Sequence, residues 1–362
     1  MNSSIQIGKI MGIPIKLHIT FLLILPVFGY IFANNPPGSG FSDVSPLLLR
    51  YVLGLSVAVL LFACVLLHEL GHSYVAKKHG TNIQGITLFL FGGVSSLEDI
   101  PRNPKVEFKM ALAGPSISLL IGSVLIIFYE FLKIDIPVSD PYLRLVWLIG
   151  YINIVLFIFN LIPAFPMDGG RVLRAILAGR MSYIKATSIA ANVGKMFAIF
   201  MGIFGLIIPG GLWFILIAFF IYIGASEEEK STQVSVSLEG VKINDIMTRD
   251  IMTVSSGMSV EELVDFMFRF KHMGYPVVDG SEIRGIVTFT DVQQVPREER
   301  KNVRISDIMT KGIISLNEDD DAVKALKLMT MNNIGRIIIL QDKEMTGIVS
   351  RTDILRSVQL LE

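Results

Sequence analysis

The stretch LLHELGHSYVAKKHG, Leu66–Gly80, places two histidines and a glutamate inside one of the most apolar parts of the chain. His68, Glu69 and His72 form the pattern H-E-x-x-H. Residues four apart on an α-helix lie about 40° apart around its axis, so both imidazoles face the same side. This spacing suits two ligands of one tetrahedral zinc ion, with the glutamate placed as a general base.

The composition around this motif is that of a membrane protein. The chain has 362 residues, of which 52% are hydrophobic and 18% charged, and its mean hydropathy is +0.59. Ionisable residues inside a membrane span are costly without partners, and a metal ion supplies such partners. The alternative is a helix that faces a polar pore or carries a regulatory proton site. The formal net charge is zero, which gives no reason to expect a nucleic-acid partner.

The apolar residues are concentrated in the first part of the chain. Residues 1–226 predict a polytopic α-helical membrane domain, and residues 227–240 are polar and read as a linker. Residues 241–298 and 303–362 are rich in charge and predict two soluble α/β domains. The fold class expected is therefore a polytopic α-helical membrane domain of about six transmembrane helices followed by an α/β tandem module.

Six apolar runs predict the membrane spans. The first could belong to a signal peptide, but no cleavage pattern follows it, so a retained span is preferred. Six spans place both termini on one side, and the loops on that side hold most of the Lys and Arg, which predicts cytoplasmic termini. The predicted spans are Leu17–Ala33, Leu47–Val75, Met110–Phe131, Leu143–Leu161, Ala190–Ile207 and Leu212–Ala225.

A third zinc ligand is predicted in NLIPAFPMDGGR, Asn160–Arg171. Asp168 ends an otherwise uncharged run from Leu145 to Met167. The second and fourth spans run in the same direction, so the histidine pair and Asp168 are expected at the same depth, near the cytoplasmic side. The alternative is that Asp168 only caps the helix that follows it.

The two motifs together resemble the site-2 protease family of intramembrane zinc metalloproteases. H-E-x-x-H in a span, followed about a hundred residues later by N-x-x-P-x-x-P-x-D-G, is similar to the pattern of archaeal and bacterial members with six spans and a CBS tail. The resemblance implies that His68, His72 and Asp168 bind one Zn²⁺ and that Glu69 is the general base. It implies that Asn160 positions the substrate or stabilises an oxyanion.

Two shorter segments of the membrane domain also have predicted roles. GITLFLFGGVSSL, Gly85–Leu97, is expected to be a β-hairpin near the active site whose edge pairs with an unwound substrate strand, or else a plain surface hairpin. ALAGPSIS, Ala111–Ser118, is predicted to provide close helix packing without chemistry. Cys64, the only cysteine, lies four residues before His68. It is either an extra zinc ligand or, as we prefer, a small apolar side chain.

The soluble part contains a repeat with an offset of 62 residues. DIMTRDIMTV at Asp245 matches DIMTKGIISL at Asp307, and RGIVTFTDV matches TGIVSRTDI. Each unit reads as strand, helix, strand, strand, helix, and the pair resembles tandem CBS domains, the Bateman module. The resemblance implies ATP, ADP or AMP as ligands and assigns ribose contacts to the [ST]-x-x-D motifs. These residues are Thr288, Asp291, Ser350 and Asp353.

Three functional hypotheses follow from these patterns. The first is a membrane-embedded zinc metalloprotease whose substrates are transmembrane proteins of the lipid bilayer and whose CBS pair senses an adenosine nucleotide. The second is a membrane transporter or channel with a CBS regulatory tail. The third is a scaffold without activity, which should have lost Glu69 or a zinc ligand, and none is lost. For the tail, the alternative is that both aspartates only cap helices and that the module forms a homodimer.

Overall fold

The computed structural model describes residues 4–89, 92–97, 102–342 and 344–361. The chain divides into two compact units, Met1–Thr232 and Gln233–Glu362. The first unit contains the apolar helices and the second contains the repeat, as the composition predicts. The two units are described separately below.

The first unit contains a four-stranded sheet in the order β1-β2-β3-β4. The expected hairpin is present as β3 paired with β4, and its turn, residues 90 and 91, lies outside the described residues. Strands β1 and β2 were not predicted, although apolar residues alternate with polar ones along them. β2 pairs with β3 in parallel, and this pairing ties the amino terminus to the hairpin. The strands are β1 Ser4–Ile10, β2 Ile13–His18, β3 Ile83–Phe89 and β4 Gly92–Leu97.

The helices of the first unit lie where the six spans were predicted, with one addition. Four of them, α2, α3, α4 and α6, are long and apolar enough to cross a membrane, and α1 is a shorter apolar helix. The added helix, α5, follows the proline-rich turn and begins at the predicted ligand. The helices are α1 Ile19–Asn34, α2 Leu47–Lys78, α3 Pro104–Leu132, α4 Pro141–Asn160, α5 Asp168–Ala178, α6 Tyr183–Ile207 and α7 Leu212–Ser237.

The polar segment expected to be a linker is mostly helical. The α7 helix begins with the apolar run of the sixth predicted span and continues without a break to Ser237. It therefore includes Glu227, Glu228 and Glu229 and crosses the boundary between the two units. The polar composition indicated the change of environment, but it did not indicate that the helix would continue through it.

Close helix packing brings α2 and α3 together beside the H-E-x-x-H motif. A Cβ at Gly71 would lie 3.0 Å from the carbonyl oxygen of Ala113, tighter than most real contacts. Both residues are small, which allows two helices to approach closely in an apolar environment. The packing role predicted for ALAGPSIS is therefore observed at this crossing.

The second unit contains the two repeats. In the second repeat, β7, α12, β8, β9 and α13 follow the predicted order; in the first, the opening strand is reduced to a single parallel bridge between Val254 and Val277. The elements are α8 Ile243–Ile246, α9 Val260–Phe270, β5 Gly274–Asp279, β6 Glu282–Thr288, α10 Phe289–Gln293, a 3₁₀ turn Arg297–Glu299, α11 Ile305–Ile308, β7 Ser315–Leu316, α12 Ala322–Met331, β8 Arg336–Gln341, β9 Glu344–Ser350 and α13 Arg351–Leu361.

The strand pairing shows that the repeats are related by an approximate twofold axis. Thr248 pairs with Ile348, and Thr310 pairs with Ile286. Adding the repeat offset of 62 to Thr248 and Ile286 gives Thr310 and Ile348, so each repeat sends its first segment to the sheet of the other. The two repeats therefore form one interlocked module.

Candidate metal centre

The two histidines of the motif project from one face of α2 into a buried site. His68 and His72 are 7% and 8% exposed. Asp168, the first residue of α5, approaches them from a segment a hundred residues further along the chain. Its side chain is 12% exposed. The predicted trio is thus brought together by α2 and by the amino-terminal end of α5.

The three ligand atoms form a nearly equilateral triangle. The Nε2 atoms of His68 and His72 lie 3.1 Å apart, and each lies 3.2 Å from Oδ2 of Asp168. Ligands of a tetrahedral zinc ion, at about 2.0–2.2 Å from the metal, are separated by roughly 3.3–3.6 Å. The observed sides are close to these values, and among the described residues this is the group of His, Cys, Asp and Glu side chains that converges as a metal site.

The other ring nitrogen of each histidine has its own partner on α3. His72 Nδ1 lies 2.7 Å from the carbonyl oxygen of Met110, to which it donates a hydrogen bond. His68 Nδ1 lies 3.0 Å from the hydroxyl of Ser118. Such partners fix the ring orientation and leave the Nε2 lone pairs for a metal. The donor set and its partners therefore fit zinc.

A glycine on α3 leaves the space in front of the histidines open. A Cβ at Gly114 would overlap the Nε2 atoms of both His68 and His72. Gly114 and Ser118 lie in ALAGPSIS, for which the sequence predicted packing alone. Both therefore act at the site as well, and their one-turn spacing, which is also typical of packing residues in apolar helices, does not by itself indicate this role.

Asp168 is not a helix cap. The N-cap of α5 is Met167, which makes no side-chain capping hydrogen bond. The Asp168 carboxylate instead contacts both histidines. This geometry favours the ligand interpretation over the alternative that the sequence left open.

Comparison with known proteins identifies the family. The model of peptidase family M50 matches residues 56–136 and 134–201, and the CBS domain model matches residues 243–297 and 305–360. The whole chain is 40% identical, over 98% of the relative's length, to zinc metalloprotease MJ0392 of Methanocaldococcus jannaschii. The chain belongs to peptidase family M50, the site-2 proteases.

Two further similarities concern parts of this M50 protease. Over 39% of its length it is 27% identical to stage IV sporulation protein FB of Bacillus subtilis, covering 47% of that protein. The solved site-2 protease of Methanocaldococcus jannaschii covers 62% of this chain at 44% identity, with 95% of its own chain aligned and a TM-score of 0.45. The full-length similarity to a zinc metalloprotease makes this chain a metalloprotease of the site-2 type, and the transporter hypothesis is set aside.

The predicted base of the M50 site follows one of the ligands in sequence and is in contact with the hairpin. Glu69 follows His68 on α2 and is not part of the converging trio. A Cβ at Gly93, on β4, would overlap the Glu69 side chain. The hairpin is thus in contact with Glu69, and a glycine at this position is required for that approach.

Two other residues considered from the sequence lie outside the trio. Asn160 ends α4, and within the described part of the chain no hydrogen bond joins its side chain to the three ligands. Cys64 is buried on α2 and belongs to a hydrophobic cluster with Leu148 and Ile149 of α4. Cys64 is not a member of the metal-binding group found among the described residues, in agreement with the preferred interpretation of a small buried side chain.

Both aspartates of the CBS motifs close capping boxes. Oδ2 of Asp291 accepts hydrogen bonds from the backbone N–H and the hydroxyl of Thr288, each at 2.7 Å. Oδ2 of Asp353 is bound in the same way by Ser350, at 2.8 and 2.6 Å. The capping role left open by the sequence is therefore observed. It uses one oxygen of each carboxylate, and both residues remain half-buried.

An unanticipated arginine lies near one of these aspartates. Arg336 begins β8 opposite Ser350. Its Nη1 is buried and has no hydrogen-bond partner among the described residues, and the same is true of the hydroxyl of Tyr275. Burial lowers the pKa of the Arg336 guanidinium, while Tyr275 and the Asp353 carboxylate act against this. A buried cation with an unsatisfied donor is suited to an anionic ligand group.

Proposed function

We propose that this protein is an intramembrane protease that hydrolyses peptide bonds within transmembrane segments of other membrane proteins. The observation that carries the proposal is the location of the His68, His72 and Asp168 triangle. Two of its corners lie on α2, an apolar helix long enough to cross a membrane. A site held by such a helix is suited to substrates that lie within the bilayer.

The residues of the site divide the chemistry between them. His68, His72 and Asp168 would hold one zinc ion, which polarises the scissile carbonyl and makes water more acidic. Glu69 would accept a proton from the attacking water and deliver it to the leaving amine nitrogen as the C–N bond breaks. Asn160 is retained from the family resemblance as a residue that positions the substrate.

The hairpin gives a route for recognising an unwound substrate. β4 is a terminal strand of the sheet and contacts Glu69 through Gly93. A substrate segment that adds to β4 as a further strand would satisfy its own backbone groups and pass beside the base. Peptide bonds in a transmembrane helix are protected by internal hydrogen bonds, so this exchange would make cleavage possible.

The proposed topology has six spans with both termini in the cytoplasm. Its support is the charge distribution, since positive residues are concentrated on the loops that share a side with the termini. On this topology the CBS pair is cytoplasmic, where adenosine nucleotides are abundant.

The CBS pair is proposed to bind an adenosine nucleotide. Oδ1 of Asp291 and of Asp353 accepts no hydrogen bond from the described residues, which leaves it available for ribose hydroxyls. Arg336, with its unsatisfied Nη1 near Asp353, would bind a phosphate group. This arrangement favours AMP, ADP or ATP over a neutral nucleoside. Dimerisation through the module stays a prediction.

The decisive experiment uses the full chain reconstituted in lipid vesicles with a panel of single-span membrane proteins. Cleavage sites determined by mass spectrometry should lie within the apolar segment of a substrate. Glu69→Gln should retain zinc and cleave about 100-fold more slowly or worse, because it removes the base from the chemical step. Cleavage confined to soluble loops, or near wild-type cleavage by Glu69→Gln, would contradict the proposal.

A further inference from the structure

A buried ion cluster joins three helices next to the metal centre. Arg174 on α5 is 2% exposed and Glu107 on α3 is fully buried. Arg174 Nε donates to Oε1 of Glu107 at 2.7 Å. Its Nη1 donates to Oε1 of Glu228, on α7, at 2.6 Å. Removing one partner from such a buried network leaves an uncompensated charge, so the three helices are coupled strongly.

Aromatic rings and a hydroxyl complete the surroundings of Arg174. The rings of Phe165 and Tyr183 have their centroids 4.9 Å from the guanidinium carbon. Thr232, one turn beyond Glu228 on α7, lies 3.4 Å from Nη1. Since charge pairs and rings together confine the guanidinium, a displacement of α7 would be transmitted to Arg174.

Arg174 is on the same short helix as Asp168. The two residues are six positions apart on α5, which is less than two helical turns. The α7 helix also contacts the segment just before Asp168 in the sequence. A Cβ at Gly224 of α7 would lie 2.8 Å from Cδ of Pro166. The α7 helix therefore touches the ligand-bearing segment on both sides of Asp168.

The neighbouring glutamate on α7 makes different contacts. Glu229 Oε2 lies 2.5 Å from Nζ of Lys195, and its Oε1 accepts a hydrogen bond from Ser188 at 2.6 Å. Both partners belong to α6. Glu229 thus has the same charge as Glu228 and is adjacent to it on α7, but its partners lie on α6 and not on α5.

We propose that α7 positions the third zinc ligand: through Gly224 and Glu228 it holds α5 so that Asp168 stays against the two histidines. Arg174 and Glu228 are thus positioning residues, since they act through Asp168. The inference rests on the proposed function only in taking Asp168 as a zinc ligand.

The test compares zinc retention in full-length Glu228→Gln and Glu229→Gln. The rate of zinc release to a chromogenic chelator is measured in detergent, together with the visible spectrum of the Co²⁺-substituted protein, which reports ligand geometry. Glu228→Gln should release zinc about 10-fold faster or more, the size of effect expected when a group that orients a ligand is lost. Its Co²⁺ spectrum should change, and both properties of Glu229→Gln should match the wild type.

A second pair of variants covers the case in which Glu228→Gln fails to fold. Gly224→Ala presses on Pro166, whereas a Cβ at Gly202 would lie 3.6 Å from Cβ of Ala218, an ordinary contact. Gly224→Ala should therefore release zinc faster than Gly202→Ala. Wild-type release by both Glu228→Gln and Gly224→Ala, or equal acceleration in Glu229→Gln, would overturn the inference and leave the proposed protease intact. A wild-type chain that binds no zinc would overturn both.

Discussion

At the scale of residues, the two ligating histidines differ in what holds their second nitrogen. His72 Nδ1 meets the Met110 carbonyl, which can only accept, so the proton is placed on Nδ1. His68 Nδ1 meets the Ser118 hydroxyl, which can donate or accept. The orientation of the His68 ring therefore depends on a side chain that substitution can remove.

We expect Ser118→Ala to weaken zinc binding by about 10-fold or more, because the His68 ring loses its orienting partner. The measurement is competition for zinc with a chelator of known affinity. Ser116→Ala is the matched control, since Ser116 lies two residues away on α3 and donates to the carbonyl of Leu112 on an exposed face. Equal affinities for the two variants would show that Ser118 does not orient the ligand.

Substitution of a zinc ligand tests the metal site directly. His68→Ala removes one of the three protein ligands and should carry well below about one zinc per chain, the stoichiometry expected for a single tetrahedral site. Metal analysis of the purified protein measures this directly. Full occupancy in a chain lacking both His68 and His72 would exclude the site.

At the scale of elements, the crossing of α2 and α3 determines the shape of the metal site. Gly71 permits the approach of α3, and Gly114 keeps α3 clear of the ligand nitrogens. Gly93 of the β3–β4 hairpin approaches the Glu69 side chain closely. The small residues at this crossing therefore allow α2 and α3 to pack closely, as the sequence predicts. They also leave the space in front of the histidine nitrogens in which a metal would bind.

Gly114→Ala should abolish most zinc binding while the helices stay folded. The added methyl group would occupy the space in which the histidine nitrogens converge. Gly179→Ala is the control, because its closest neighbour would be the Ile176 carbonyl oxygen at 3.4 Å. Zinc content and circular dichroism should be measured on the same samples, and a zinc-replete Gly114→Ala protein would contradict this account of the crossing.

At the scale of the whole molecule, two units of different composition share one helix, α7. The first unit contains the His68, His72 and Asp168 group and the buried ion cluster of Arg174, and the second contains the two CBS repeats. A ligand of the second unit can alter proteolysis only if it has different affinities for two arrangements of the protein. The α7 helix, Leu212–Ser237, runs from the first unit into the second.

The full chain should bind an adenosine nucleotide, and Asp291→Ala and Asp353→Ala should weaken that binding. Calorimetry in detergent measures it. Asp307→Ala is the control, since Asp307 likewise accepts a hydrogen bond from the backbone N–H of its N-cap residue, Arg304, but lies outside the [ST]-x-x-D motifs. Its loss should cost about 0.5–2 kcal/mol of stability, as for other caps, without changing affinity. Equal weakening by all three variants would indicate a loss of folding instead.

Arg336→Gln should reduce the affinity for ATP, ADP or AMP and leave that for adenosine unchanged, because only a phosphate would use the unsatisfied Nη1. Binding without any effect on wild-type cleavage would make the CBS pair a ligand-binding module that does not regulate the protease.

The sequence by itself determined the parts of this protein that depend on local spacing. The i, i+4 histidines follow from helix geometry, the apolar runs predict the helices by length, and the offset of 62 residues predicts the two CBS repeats. Asp168 was predicted because a lone carboxylate in an uncharged run is costly without a partner. The alternating strands β1 and β2 also carried a local signal, which the first predicted span obscured by beginning at Leu17.

Only the tertiary structure decided which distant residues meet. Gly114 and Ser118 look like packing residues in any apolar helix, and their role depends on the angle and offset at which α3 crosses α2. Glu228 reads as one charge in a polar linker, yet it pairs with Arg174 because α7 continues as a helix past the apolar run. Such contacts depend on the relative placement of whole helices, which many residues determine jointly and no short stretch of sequence encodes.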